Sequence, residues 1–168
     1  PCSVPARVAG GVGWVGRDLG AHRAGLIEAA SGGQGGLVIA ATGGGKTLAG
    51  FLPSLIELAE APPRTHPALH TLYISPLKAL ATDVARNLKT PVEEMGLDLT
   101  LETRTGDTST SRRQRQRAKP PDILLTTPEQ LALLVASEHA QRFFADLRAV
   151  IIDEVHAIAQ SKRGDLLS

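Results

Sequence analysis

The sequence has one cysteine, few aromatic residues, no long apolar run and almost no net charge. Because Cys2 stands alone, an intramolecular disulfide and a zinc site built from several cysteines are excluded, which fits a reducing cytosol. No apolar run approaches the roughly 20 residues that span a bilayer, and the N-terminus lacks the apolar core of a signal peptide. With 18 basic and 17 acidic residues, any surface for a polyanion has to come from local clustering.

Aromatic residues make up 3% of the 168 residues, although hydrophobic residues make up 42%. Leu, Ile, Val and Ala must therefore fill the core, and a chain of this length suits one domain. The sequence begins at Pro1 rather than at methionine, and it ends at Ser168 in the middle of a pattern. We therefore expect a fragment of a longer protein.

A glycine-rich loop stands between an apolar run, residues 37–40, and a helical pattern that continues to residue 56. Glycines let backbone N–H groups turn towards an anion, and a helix N-terminus adds its positive dipole end. This context indicates a P-loop, in which Lys46 reaches the β- and γ-phosphates of a nucleotide and the Thr47 hydroxyl ligates Mg²⁺. Ala40 stands where the general pattern has its first glycine. The predicted nucleotide-binding residues are Thr42, Gly43, Gly44, Gly45, Lys46 and Thr47.

Two adjacent carboxylates follow a second apolar run, residues 148–152, which we interpret as a buried strand. In open α/β sheets, ligands bind at the carboxyl ends of strands. Two carboxylates are costly at such a position unless they face a metal ion or solvent. Asp153 is predicted to hold Mg²⁺, and Glu154 to orient and deprotonate an attacking water.

Strand and helix patterns alternate along the chain, which predicts an α/β fold with a mostly parallel sheet and helices on both faces. The predicted strands are residues 37–40, 71–75, 99–104, 123–126 and 150–153. The predicted helices are residues 46–59, 77–89, 112–117, 128–135 and 139–145.

Two strand-to-helix turns carry groups that suit phosphates. Ser75 and Pro76 precede a helix with Lys78 in its first turn. Helix N-termini and hydroxyl groups commonly bind phosphates, so this turn is a candidate phosphate contact. The second turn has the same design and contains Thr126, Thr127, Pro128 and Glu129, with Thr127 as the expected N-cap and Pro128 at the first helical position. Ordinary helix capping explains either turn alone, but two at one sheet edge favour a groove that follows a polynucleotide backbone.

One strong basic run, residues 112–119, contains four arginines and Lys119. At helical spacing these charges spread around the helix rather than lining one stripe. Two interpretations stay open, a solvated helix and an auxiliary contact with DNA. Met95 and the pair Phe143 and Phe144 are interpreted as packing residues.

Together the motifs resemble those of superfamily two DExH-box helicases. Asp153-Glu154-Val155-His156 matches the DExH box, and the segments around Ser75, Thr105 and Thr126 match strand-gripping motifs in the right order. Among these families the chain is most similar to the Lhr (large helicase-related) group and its ligase-associated DExH-box relatives. The resemblance implies further strand contacts at Thr105, Gly106 and Asp107, and a coupling role for His156.

The resemblance also implies a domain organisation. Residues 36–168 correspond to the first RecA-like, ATP-binding domain, truncated at its C-terminus, with the second RecA-like domain absent. Residues 1–35 correspond to a degenerate adenine-side motif, in which Arg23 stands where a glutamine is expected. Because the second domain supplies arginine fingers in this family, the fragment alone should hydrolyse ATP poorly.

The implied activity is that of an ATP-dependent DNA helicase acting in repair in the bacterial cytoplasm, with ATP and Mg²⁺ as cofactors and no membrane partner. The implied partners are single-stranded or partly duplex DNA, with RNA left open, and DNA ligase or nuclease repair proteins. Two alternatives remain, a P-loop ATPase that is not a helicase and a nucleic-acid-binding module without turnover. ATP-independent binding of single strands would favour the second.

Overall fold

The structure is a computed structural model that describes residues 46–62 and 64–154, with the side chains of residues 46–49 left out. Its contacts divide the chain into two compact units. The described part of the first unit is residues 46–62 and 90–98, and that of the second is residues 64–89 and 99–154. The predicted strand at residues 37–40 lies outside the described residues.

The described chain forms nine elements in α/β order. They are α1 (Lys46–Glu60), β1 (Thr71–Ile74), α2 (Lys78–Glu94), β2 (Leu101–Arg104), α3 (Thr110–Ala118), β3 (Ile123–Thr126), α4 (Pro128–Val135), α5 (Ala140–Phe143) and β4 (Ala149–Ile152). Each predicted element within the described residues exists, and the bounds of β3 and α4 agree with the prediction. The main difference is α2, which continues to Glu94 because it accommodates Pro91 inside the helix, where the sequence predicts an end before proline.

All four strands are parallel, in the order β2–β3–β1–β4. The two central strands, β1 and β3, are buried along their whole length, as expected for parallel strands covered on both faces. One side of the sheet packs on a cluster that includes Leu72, Leu124, Leu134 and Phe143. The predicted α/β class and parallel sheet are confirmed, and all the strands end at the same edge.

The interpretation of residues 148–152 as a buried run is wrong. Strand β4 pairs only with β1 among the described strands, and Val150 and Ile152 are 51% and 46% exposed. Successive strand residues point to opposite faces, so these two share one face of β4. That face is half open, and the apolar character of the run misled the prediction about its burial.

In the first unit, α1 has an apolar side with helical spacing. Phe51, Leu52, Leu55 and Leu58 are buried, at positions that recur every three or four residues. Met95 is also buried, which confirms its interpretation as a packing residue. Among the described helices, none is long and apolar enough to cross a membrane.

In the second unit, the aromatic pair is also a packing feature, as predicted. Phe143 belongs to the buried cluster, and Phe144 packs against it. Their rings meet edge to face with centroids 5.1 Å apart, a favourable arrangement of two aromatic quadrupoles.

Candidate nucleotide and nucleic-acid site

The predicted site segments of the second unit lie side by side at one sheet edge. In sheet order, Thr105 follows β2, Thr127 follows β3, Ser75 follows β1 and Asp153 follows β4. Backbone bonds continue across this edge: the amide of Ser75 donates to the Thr126 carbonyl at 3.0 Å, and the amide of Asp153 donates to the Ile74 carbonyl at 2.9 Å. The parallel topology thus collects residues separated by up to about 80 positions into one row.

An ion pair joins two of the predicted strand-gripping segments. The Lys78 Nζ atom, at the start of α2, lies 2.7 Å from Oδ2 of Asp107, in the loop after β2. Their side chains are 63% and 72% exposed. An exposed pair of this kind contributes little to stability, so its main consequence is electrostatic: in the free protein the Lys78 charge is already matched by a carboxylate.

The turn after β3 stabilises the sheet edge through buried side chains. Thr126 is fully buried, and its hydroxyl donates to the Arg104 carbonyl at 2.8 Å, which links β3 to β2. Thr127 occupies the N-cap position of α4 and Pro128 the first helical position, as predicted, but the Thr127 side chain makes no capping hydrogen bond. The capping expectation for this hydroxyl is therefore wrong, and Glu129 is the acidic residue in the first turn of the helix.

The Asp153 carboxylate is held through both oxygens. The Tyr73 hydroxyl donates to Oδ2 at 2.6 Å, and the backbone amide of Glu154 donates to Oδ1 at 2.9 Å. Burial raises the pKa of Tyr73 well above its ordinary value, and the hydrogen bond and charge of Asp153 add to this effect. Tyr73 therefore remains a neutral donor, and the carboxylate has a defined orientation.

Glu154 has a backbone φ of 51°, in the left-handed region that non-glycine residues rarely adopt. Such conformations are costly and are found often at functional sites. The residue predicted to activate water is therefore held by the fold in an unfavourable backbone conformation, directly after the strand that carries it.

The donor set suits a metal ion that brings its own ligands. No group of three or more His, Cys, Asp or Glu side chains converges within the described residues. Mg²⁺ in nucleotide sites takes one or two carboxylates and completes its shell with waters and substrate phosphates. Asp153 and Glu154 fit this limited contribution, whereas a metal site made of protein ligands alone is not formed in the described chain.

The P-loop prediction falls mostly beyond the described structure. Residues 42–45 and His156 lie outside the described residues. Lys46 and Thr47 lie in α1, which confirms the predicted helix in this segment but does not test their roles at a nucleotide. Both residues belong to the first unit, whereas Asp153 and Glu154 belong to the second.

The basic run forms α3 and contacts β2 through a shared carboxylate. Glu102 accepts hydrogen bonds from Arg112 at 3.2 Å, from Arg115 at 2.8 Å and from Gln116 at 2.8 Å. Arg113 instead donates to the backbone of the loop after β2. Three of the charged or amide side chains of this helix thus hold the sheet, and the solvated-helix interpretation is too simple.

Sequence reasoning missed Tyr73 and Arg104, and it named Arg113 only as one member of the basic run. Tyr73 stands in an apolar strand and carries no motif, so the sequence suggests packing alone. Arg113 is one of several arginines, and its sequence neighbours do not distinguish it. Arg104 is 1% exposed, and its Nε and Nη1 atoms have no hydrogen-bond partner among the described residues; an arginine at a strand end would normally be expected in solvent.

Comparison with protein families and curated relatives is consistent with these motifs. Residues 22–168 match the model of DEAD/DEAH box helicases. The Lhr helicase/probable uracil glycosylase of Mycolicibacterium smegmatis is 47% identical over 82% of this chain, and the match covers 10% of that relative. The ATP-dependent helicase Lhr-Core of Methanothermobacter thermautotrophicus is 40% identical over 79% of this chain, and the match covers 17% of that relative.

Solved structures share the fold. Mycobacterium smegmatis helicase Lhr bound to single-stranded DNA and AMP-PNP matches with a TM-score of 0.87 and 39% identity, over 98% of this chain and 22% of that one. The DUF1998 helicase MrfA bound to DNA and AMPPNP matches with a TM-score of 0.81 and 31% identity, over 94% of this chain and 22% of that one. This chain therefore spans only a tenth to about a fifth of the relatives described above.

The family match covers most of the chain, and the described strands have the parallel order and the row of motif residues at one edge that the sequence predicts for it. The chain belongs to the DEAD/DEAH box helicase family, and its sheet is that of a RecA-like domain.

Proposed function

We propose that this chain is the ATP-binding, RecA-like domain of an ATP-dependent helicase or translocase that moves along a nucleic-acid strand. The observation that carries the proposal is the row of strand ends, in which the carboxylates after β4 lie at the same edge as the predicted strand grips after β1, β3 and β2. Binding of a strand and hydrolysis of a nucleotide can influence each other through a shared sheet edge. A kinase or an ATPase that binds no strand would not need phosphate-binding groups in the turns after β1, β3 and β2.

The nucleotide side of the proposal uses the P-loop and the DExH box. Residues 42–47 would bind the phosphates of ATP, and Thr47 and Asp153 would hold the Mg²⁺ that accompanies it. Bound Mg²⁺ would supply the charge that offsets the phosphates. Glu154 would accept a proton from the attacking water, and the Tyr73 hydroxyl would keep the Asp153 carboxylate in place.

The nucleic-acid side uses groups that suit phosphates rather than bases. Lys78, Gly106 and Asp107 are exposed at the edge, whereas Ser75 and Thr126 are fully buried. We infer that the Lys78 side chain and the backbone of Gly106 and Asp107 meet the strand, and that the buried residues fix the turns that present backbone groups to it. Such contacts carry no base identity, so binding should tolerate any sequence. His156 remains the proposed link between the two sides.

The similarity to Lhr bound to single-stranded DNA and AMP-PNP supports a DNA strand and ATP as the ligands of this domain. Participation in DNA repair, a ligase or nuclease partner and a cytoplasmic location stay predictions from the family resemblance.

The proposal is tested by ATP turnover in an enzyme that carries both RecA-like domains, with and without single-stranded DNA. DNA should stimulate turnover. Lys46→Ala should abolish nucleotide binding with an unchanged circular dichroism spectrum, because it removes the cation that offsets the phosphates. Glu154→Gln should keep nucleotide binding but lose hydrolysis, because an amide can hold a water yet cannot accept its proton.

The matched control is Glu138→Gln, which makes the same chemical change at an exposed carboxylate away from the sheet edge and should turn over ATP normally. Normal hydrolysis by Glu154→Gln would remove Glu154 as the base. Single-strand binding without any effect of ATP, together with no turnover, would favour a binding module instead.

A further inference from the structure

In the loop after β2, residues 105–107, two consecutive carbonyls accept hydrogen bonds from one guanidinium group, and the Thr105 carbonyl also accepts from the Thr108 amide at 3.1 Å. The Arg113 Nη2 atom, which α3 presents, donates to the Gly106 carbonyl at 2.9 Å and to the Thr105 carbonyl at 3.3 Å. One nitrogen therefore bridges two consecutive peptide oxygens. The Thr105 amide is held separately, by the Thr108 hydroxyl at 2.9 Å.

The two peptide groups whose carbonyls bind Arg113 direct their N–H groups away from the guanidinium. In a planar trans peptide, the carbonyl and the following N–H lie on opposite sides, and no described peptide bond is cis. The carbonyls of Thr105 and Gly106 are bound by Arg113, so the N–H groups of Gly106 and Asp107 face away from the guanidinium. Neither N–H donates to an acceptor in the described part of the chain.

The space on the outer side is open. Gly106 and Asp107 are both exposed, and a Cβ atom built on Gly106 would meet no heavy atom within 4 Å. Two neighbouring backbone N–H groups that face solvent form a small anion-binding concavity, a common way in which proteins hold a phosphate. Fixing their direction in advance reduces the ordering that binding would otherwise require.

Arg113 itself is half-buried and is engaged with the loop. Its Nε atom is buried and its Nη2 atom is engaged with the loop carbonyls, so its charge is not presented to a strand on the outer side. Arg115 gives the contrast on the same helix, because it is exposed and pairs with Glu102 instead of the loop.

We propose that Arg113 is a positioning residue for the nucleic-acid strand, which acts by holding the Gly106 and Asp107 N–H groups towards a backbone phosphate without touching that phosphate. This inference rests on the proposed function, because it needs a strand at the sheet edge. It differs from the interpretation of the basic run as an auxiliary DNA contact, in which the arginine charge itself would meet DNA.

The salt dependence of binding separates the two roles. A cation that neutralises a phosphate releases a counterion on binding, and its removal reduces the slope of log affinity against log salt by about 0.7 for a single strand. A residue that only orients backbone N–H groups releases none. Arg113→Gln should therefore weaken affinity about tenfold and leave the slope unchanged.

The measurement is fluorescence anisotropy of a labelled single-stranded oligonucleotide titrated with the protein over a series of salt concentrations. The variants are Arg113→Gln, Arg113→Lys and the control Arg115→Gln, which removes the same charge from the same helix. A lysine ammonium can also donate to these carbonyls but lacks the planar geometry of the guanidinium, so Arg113→Lys should retain part of the affinity. Arg115→Gln should match the wild type. AMP-PNP affinity should be unchanged in all three, which a general loss of structure would not allow.

A reduced salt slope in Arg113→Gln would overturn the proposal in favour of a direct contact, and an unchanged affinity would overturn it altogether. Equal losses in Arg113→Gln and Arg115→Gln would also overturn it, because only general charge would then matter. If the wild type binds AMP-PNP but binds no single strand at any salt concentration, the proposed function fails as well. This failure is recognised in the wild type, whereas the outcomes above are recognised in the variants.

Discussion

At the scale of single residues, the feature that demands an explanation is a buried arginine. Arg104 closes β2 at the sheet edge and is 1% exposed. Burial lowers its pKa to about 10, and the charges of Arg117 and Arg113 add to this effect. It therefore still carries its charge at neutral pH, where a buried charge that pairs with no carboxylate of the described residues is costly.

We expect Arg104→Met to raise the free energy of unfolding by about 2 kcal/mol, because it replaces a buried charge with an apolar side chain of similar length. The folded-state pKa lies below the ordinary value of 12.5, so the folded state loses its proton first and the penalty disappears only as the pH rises above about 10. Urea unfolding at mildly acidic and mildly basic pH should give the same gain. A variant that is less stable than the wild type would show that Arg104 makes a favourable contact.

At the scale of elements, helix α3 shows how a strand selects among similar side chains. The sequence does not distinguish the four arginines of this helix. In the structure, Arg112 and Arg115 form ion pairs with Glu102, and Arg113 donates a hydrogen bond to the backbone of the loop after β2. Burial alone would raise the pKa of Glu102; hydrogen bonds from Gln116 and Arg112, with the charge of Arg115, outweigh it and lower the pKa below its ordinary value. The carboxylate is thus the main polar link between β2 and α3.

Glu102→Gln should lower the free energy of unfolding at neutral pH by about 1 kcal/mol. Since the folded-state pKa of Glu102 lies below its ordinary value of 4.5, its stabilisation is complete above that value and is lost as the pH falls through the folded-state pKa. Wild type and variant should therefore converge in acid when urea unfolding is followed as a function of pH. A difference that persists unchanged into strong acid would show that shape rather than charge matters at this position.

Local pattern predicts the elements well, because α1 and α4 have apolar residues at helical spacing, and β1 and β3 are short continuous apolar runs that are buried along their whole length. It does worse where a tertiary contact decides. The end of α2 depends on whether the fold accepts Pro91 inside the helix. The exposure of Val150 and Ile152 depends on which elements cover β4, and hydrophobicity alone cannot report this.

At the scale of the whole molecule, parallel topology made the site predictable. Because all the described strands are parallel, the segments that follow them lie at the same edge of the sheet. Motifs that are far apart in the sequence are therefore neighbours in space. The pairs that tune the site were not predictable, because Tyr73 and Asp153 are 80 residues apart and Lys78 and Asp107 are 29 residues apart. Their side chains meet only through the sheet order, and neither pair has a signature in sequence.

The net charge of +1 means that affinity for a strand depends on where charges lie. Asp107 places a carboxylate 2.7 Å from the Lys78 Nζ atom, beside the N–H groups proposed to meet a phosphate. Asp107→Asn should therefore raise single-strand affinity several-fold, equally for different sequences, and steepen the salt dependence by about 0.7 as Lys78 becomes available to a phosphate.

Asp146→Asn is the control for this prediction, since it makes the same change in net charge at an exposed residue paired with His66, away from the edge. If affinity depended on the overall field, both variants would gain equally. If Asp107 helped to bind the strand directly, Asp107→Asn would lose affinity. Anisotropy titrations with several unrelated oligonucleotides decide among these outcomes. Only a gain in affinity confined to Asp107→Asn agrees with a Lys78 charge that the Asp107 carboxylate neutralises in the free protein.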